Sequence, residues 1–94
     1  MYNLRVLDLN EIKSKFFIER DILFNTEAKK TRLQKLQKAM MLSHIEHQTI
    51  GIITTLFSGE VVQVYCDLIE CADDFVQLKG GIIIPIRAIV DVEY

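Results

Sequence analysis

The stretch Gly81-Ile-Ile-Ile-Pro-Ile-Arg-Ala-Ile-Val-Asp-Val-Glu-Tyr94 decides the reading of this chain. Ile82, Ile83 and Ile84 form a β-branched run, the side-chain type that suits a pleated surface. Pro85 has no N–H to give a ladder and drives Ile84 into the extended region, so the run ends there in a turn. Val90, Val92 and Tyr94 then alternate with Asp91 and Glu93, the period of a half-buried strand. A strand, a proline-started turn and a closing strand make the order that shuts a small antiparallel barrel.

Upstream, the period of two continues. Residues 49–57 are β-rich, Ser58-Gly59 reads as a two-residue hairpin turn, and residues 60–70 form the longest strand. In that strand Val62, Val64, Cys66 and Leu68 share one face, with Gln63 and Asp67 on the other. Ala72-Asp73 turns the chain and residues 74–78 make a third strand. Lys79-Gly80-Gly81 is a tight turn whose glycines accept positive φ. Residues 82–84 form the fourth strand, residues 85–88 a single 3₁₀-like turn, and residues 89–94 the fifth. This order predicts a small five-stranded antiparallel barrel of the SH3-like or Sm-like kind, whose closure removes most exposed edges. Its expected interior is Val62, Val64, Cys66, Leu68, Val76, Leu78, Val90 and Val92. A slip of one residue would bury Gln63, Asp67, Asp91 and Glu93 instead.

The N-terminal part reads as two helices. Asp8 followed by Glu11 has the spacing of a capping box and starts a helix near Leu9 or Asn10, with Ile12, Phe16 and Leu23 near one face. Asn25-Thr26 breaks the chain and caps a second helix that runs to about Ser43. Its apolar stripe is Leu33, Leu36 and Met40, and Arg32, Lys35 and Lys38 form a basic arc away from it. The expected class is α+β: one domain over residues 1–94, with N-terminal helices as an arm at 1–43 and the barrel at 49–94.

Half of the 94 residues are hydrophobic, which excludes a disordered chain and predicts a packed core. A chain this short buries a modest fraction of its surface, which leaves room for a partner or a homo-oligomer. Cys66 and Cys71 are too few for a disulfide framework, and reduced thiols fit the cytosol. Phe16-Phe17-Ile18 is flanked by charges, so it is no secretory core, and no apolar run approaches the ~20 residues of a membrane span. A soluble, cytoplasmic protein is expected. Charge is unevenly divided: residues 1–43 carry nine Lys/Arg against five Asp/Glu, whereas residues 44–94 carry two against eight. A basic arm on an acidic body suits contact with another molecule better than a general grip on nucleic acid.

A family resemblance sharpens this. A basic helix ending Leu36-Gln-Lys-Ala-Met40 is followed by Ile53-Thr-Thr-Leu-Phe57, Ser58-Gly59, Cys66-Asp-Leu-Ile69 and Val76-Gln-Leu-Lys-Gly80. The series closes with Ile84-Pro-Ile-Arg-Ala-Ile-Val-Asp-Val-Glu93. Over roughly residues 33–93 this resembles the YolD-like proteins of Gram-positive bacteria and their phages. Members of that family often sit beside genes for error-prone Y-family DNA polymerases. The resemblance implies an accessory role equivalent to the UmuD subunit, in the DNA-damage response and translesion synthesis. The serine–lysine dyad of self-cleaving UmuD proteins has no counterpart among Ser14, Ser43 and Ser58.

Other chemistry reads weakly. His44-Ile-Glu-His47 sets two imidazoles three apart with no third ligand, so no metal is expected. Asp73-Asp74 reads as a solvated turn, and Gly80-Gly81 lacks the following helix N-terminus that would favour an anion. Tyr65 and Phe75 are aromatic candidates for stacking a base, or simply barrel packing. No catalytic residue and no cofactor are expected. Two roles follow. The first is a non-enzymatic accessory or regulatory protein that docks onto a protein partner, a Y-family polymerase by the resemblance. The second is a small Sm-like RNA- or DNA-binding protein. In either role the candidate contact residues are Arg32, Lys35 and Lys38.

Overall fold

A computed structural model of the chain describes residues 4–94. It opens with strand β1 (Arg5–Leu7), helix α1 (Leu9–Lys13), an irregular stretch, and helix α2 (Thr26–Ile45). Then come β2 (Ile50–Thr55), β3 (Val61–Cys66), β4 (Leu68–Cys71), β5 (Phe75–Leu78) and β6 (Ile82–Pro85). A 3₁₀ turn over Ile86–Ala88 leads into β7 (Ile89–Glu93). Among the described residues the strands form a sheet ordered β1-β3-β2-β7 and a second ordered β4-β5-β6. The domain is α+β, but the expected five-stranded barrel with N-terminal helices is corrected: one long helix sits with two open sheets.

The barrel stays open because other groups occupy the places where it would close. Residues 60–70 are not one strand. At Asp67 the chain leaves the first sheet, and its carbonyl accepts a hydrogen bond from the Lys79 N–H at 2.9 Å. The Leu68 N–H, freed at that break, donates to the buried Ser43 Oγ at 3.0 Å. A backbone donor buried there without a partner would cost about 1–3 kcal/mol, so α2 supplies what the ladder gives up. The far edge of β3 is taken by β1, which pairs with it in parallel from Arg5↔Val62 to Leu7↔Val64. On β7, the Ile89 carbonyl accepts from Arg32 of α2 at 3.1 Å. Arg5 also donates twice to Glu60, at 2.9 and 2.7 Å, tying the edge strand to the β2–β3 hairpin. The division into a helical arm and a separate barrel therefore fails, since β1 belongs to the sheet.

Local sequence accounts for both helices. The Asp8 side chain accepts from the Glu11 N–H at 2.8 Å and Glu11 answers to the Asp8 N–H at 3.1 Å, the expected capping box. That helix nevertheless ends at Lys13 rather than reaching Leu23. Phe17 instead forms an antiparallel bridge with Leu56, and the Ile18 N–H donates to the Thr55 carbonyl at 3.3 Å. Pairing with β2 thus overrides helical propensity. In α2, Asn25 Oδ1 accepts from the Ala28 N–H at 2.6 Å as the cap. The buried face is Arg32, Leu36, Ala39 and Ser43, spaced three and four apart. Leu33, expected in the apolar stripe, is 40% exposed. With that face α2 packs against β4 and β7, one strand from each sheet.

Strand parity comes out close to expectation. Val62, Val64, Cys66, Leu68, Val76, Leu78 and Val92 are buried in one cluster with Leu7, Ile12, Ile52 and Ile84. Val90 is only half-buried, and Ile89 takes its place inside. A register shift explains this: Ile53 pairs with Asp91 and Thr54 with Ile89, so Val90 is the bulged residue. On the opposite face Gln63 is buried too. Its Nε2 crosses β2 and donates to Glu93 Oε1 on β7 at 2.6 Å. Gly51 lies beneath that crossing, where a Cβ would stand 2.8 Å from Gln63 Nε2. Any side chain at position 51 would push the amide, and the Tyr65 ring beside it, out of place.

Candidate functional site

The irregular stretch after α1 is held beside the tip of the β2–β3 hairpin, and this brings two phenylalanines together. The Phe57 N–H donates to the Phe16 carbonyl at 2.8 Å. The hairpin itself closes by Leu56 N–H to the Glu60 carbonyl at 2.8 Å and Gly59 N–H to the Leu56 carbonyl at 2.9 Å. Its loop is therefore Phe57-Ser58-Gly59, one residue longer than the sequence suggested. Gly59 has φ 95°, a left-handed value that three-residue hairpin loops close on and that L side chains resist. Phe57 sits at the turn, out of reach of the core. β6 adds Ile83, which points away from buried Ile82 and Ile84.

These residues line a cleft of about 590 Å³ with Lys15, Phe17, Glu19, Pro85 and Arg87. Phe16 is 80% exposed, Phe57 65% and Ile83 54%, so one surface region gathers three large, wet apolar side chains. Scattered exposed apolar residues are ordinary, whereas a contiguous set marks an interaction surface. The walls are braced by backbone contacts. Arg87 Nε donates to the Ile18 carbonyl at 2.9 Å, and the Ile22 N–H donates to the Arg87 carbonyl at 2.9 Å. What the cleft offers chemically is apolar area rimmed by Lys15, Glu19 and Arg87.

The basic arc proposed from sequence is not a single surface. Arg32 is 6% exposed, against the expectation of a solvated position. Its Nη1 and Nη2 grip Asp21 at 2.9 and 2.8 Å, and Nη1 also reaches the Ile89 carbonyl. Lys35 is half-buried and paired with Asp91 of β7. Lys38 alone of the three is exposed, its Nζ 5.4 Å from the centroid of the Tyr94 ring.

His44 and His47 line one hollow with Ser43, Asp67 and Lys79. His44 lies in α2, but His47 falls beyond its end with φ 54°, so the pair does not share a helix face. Among the described residues no group of three or more His, Cys, Asp or Glu is placed to hold a metal ion. Tyr65 is in the first sheet and Phe75 in the second, and they form no common stacking platform. Cys66 is buried, and burial pushes its thiol up to about 12, far from a reactive thiolate. Among the described residues no helix is long and apolar enough to cross a membrane.

Sequence reasoning placed Phe16 on a helix face and Phe57 at a strand end, and so missed the cleft. The available signal was Phe57 directly before Ser58-Gly59: a bulky aromatic at a turn has no core to enter. No protein-family model, curated protein or solved structure matches this chain.

Proposed function

We propose that this chain is a non-enzymatic accessory or regulatory protein that docks onto a protein partner through the cleft of Phe16, Phe57 and Ile83. One observation carries the reading: three large apolar side chains, each more than half exposed, stand together on hydrogen-bonded backbone. Their hydration is costly in the free protein, and a partner that covers them recovers that free energy with little ordering penalty. We take the partner to be an error-prone Y-family DNA polymerase acting in the cytoplasm after DNA damage, a reading that rests on the sequence resemblance to YolD-like proteins alone. The alternative of a small RNA- or DNA-binding protein draws less support. Arg32 and Lys35 are engaged with Asp21 and Asp91, which leaves phosphates the scattered lysines and Arg20 of the arm.

The purified protein should co-elute with the Y-family polymerase of its own host during size-exclusion chromatography. Phe16→Ser combined with Phe57→Ser should weaken that complex at least tenfold, roughly 1.4 kcal/mol, as expected for aromatic anchors. Its melting temperature should stay close to that of the wild type, because both rings are solvated. Failure to co-elute would remove the polymerase from the account. A complex indifferent to both substitutions would remove the cleft.

A further inference from the structure

We infer that the cleft recognises an apolar peptide segment whose anchoring side chains are flanked by carboxylates, an inference that rests on the docking role proposed above. The first reason lies in the rings. Phenylalanine has no polar tip, so unlike Tyr or Trp it donates no hydrogen bond to a ligand carbonyl. A proline-rich ribbon in an aromatic groove needs such donors for orientation and would find none on Phe16 or Phe57. The floor of the cleft therefore selects apolar side chains rather than extended backbone.

The second reason lies in the rim. Lys15 and Arg87 stand there against Glu19, an excess of positive charge beside the apolar floor. Among the described residues none of the three forms an ion pair. Arg87 is exposed and held through Nε by the Ile18 carbonyl, at the border between this cleft and a hollow lined by Asp21, Asp73 and Asp74, and its guanidinium fork suits a carboxylate. Carboxylates on the ligand speed encounter and set its register, while the apolar anchors supply affinity. A second copy of this chain suits the cleft less well. A two-fold dimer through this face would bring together two rims that each carry a net positive charge.

Panning the full-length protein against a random peptide library displayed on phage tests this. Enriched peptides should pair large apolar side chains with neighbouring Asp or Glu. A synthetic representative should bind at least tenfold more weakly to Phe57→Ser. Lys15→Glu with Arg87→Glu should shift selection toward Lys- or Arg-flanked peptides. Lys15→Glu alone should shift it the same way, with no internal hydrogen bond lost. Enriched peptides without acidic residues, peptides indifferent to Phe57→Ser, or no enrichment at all would overturn the inference. So would a concentration-dependent dimer abolished by Phe57→Ser, which would assign the face to a second copy. If the polymerase binds while the panned peptides carry no carboxylates, docking stands and this inference falls. If acidic apolar peptides are selected but no polymerase binds, the cleft chemistry stands and the partner changes.

Discussion

Arg32→Ala should lower the unfolding free energy by about 2–4 kcal/mol. Removing one member of a fully buried ion pair typically costs about 3–5 kcal/mol, because the remaining charge is stranded. Asp21 keeps 26% of its side chain exposed, so water recovers part of that loss, which sets the lower figure. The substitution also frees the Ile89 carbonyl and unties the irregular stretch from α2. If Arg32 were the solvated residue its sequence context suggests, the change would fall within about 0.5 kcal/mol. Urea denaturation distinguishes the two outcomes.

The same pair gives a pH dependence of defined sign. Partial burial pushes the Asp21 carboxyl upward, but the Arg32 hydrogen bond, the Leu23 N–H and the nearby positive charges outweigh it. The carboxyl ends below its ordinary value of 3.8. A carboxyl depressed in the folded state contributes stability above its unfolded pKa and loses it as pH falls through the folded value. The gap between the wild type and Arg32→Ala should therefore be widest near neutrality and narrow below about pH 4. A gap unchanged across that range would show that Asp21 is not the partner that matters.

Leu36→Ala should be comparably damaging, at about 2–5 kcal/mol, through lost transfer free energy and the cavity left behind. Leu36 is fully buried at the centre of the α2 face that meets β4 and β7, so a void there loosens the helix from both sheets at once. Leu33→Ala, three residues earlier and 40% exposed, should cost well under half as much. Equal costs at the two positions would restore the stripe read from sequence and contradict the helix orientation described above. Equilibrium denaturation of both variants, with unchanged slopes, provides the comparison.

Local chemistry was legible where local chemistry decides. The capping box of Asp8 and Glu11, the Asn25 cap, the buried parity of Val62, Val64 and Cys66, and the 3₁₀ turn after Pro85 all follow from neighbouring residues. Features set by distant partners were not legible. The alternation from Val62 to Leu68 continues through Asp67, and the break there depends on Ser43 and Lys79, one far upstream and one downstream. β1 has three residues, too few for a period to show. Arg32 lies one helical turn before Leu36 and looked like a solvated cation only because Asp21, its partner, lies on a stretch read as helix. The cleft escaped notice for the same reason: Phe16 reaches Phe57 through strand pairing that a helix would forbid.

One calorimetric series separates the cleft from Lys38, the exposed residue of the α2 basic arc. The host's Y-family polymerase would be titrated with the wild type, Phe57→Ser and Lys38→Glu. Lys38 is exposed, with its Nζ over the exposed Tyr94 ring, so its reversal should leave Kd within about threefold, less than 0.7 kcal/mol. Phe57→Ser should raise Kd at least tenfold, roughly 1.4 kcal/mol or more. Loss of binding in Lys38→Glu with full retention in Phe57→Ser would contradict docking through the aromatic cleft.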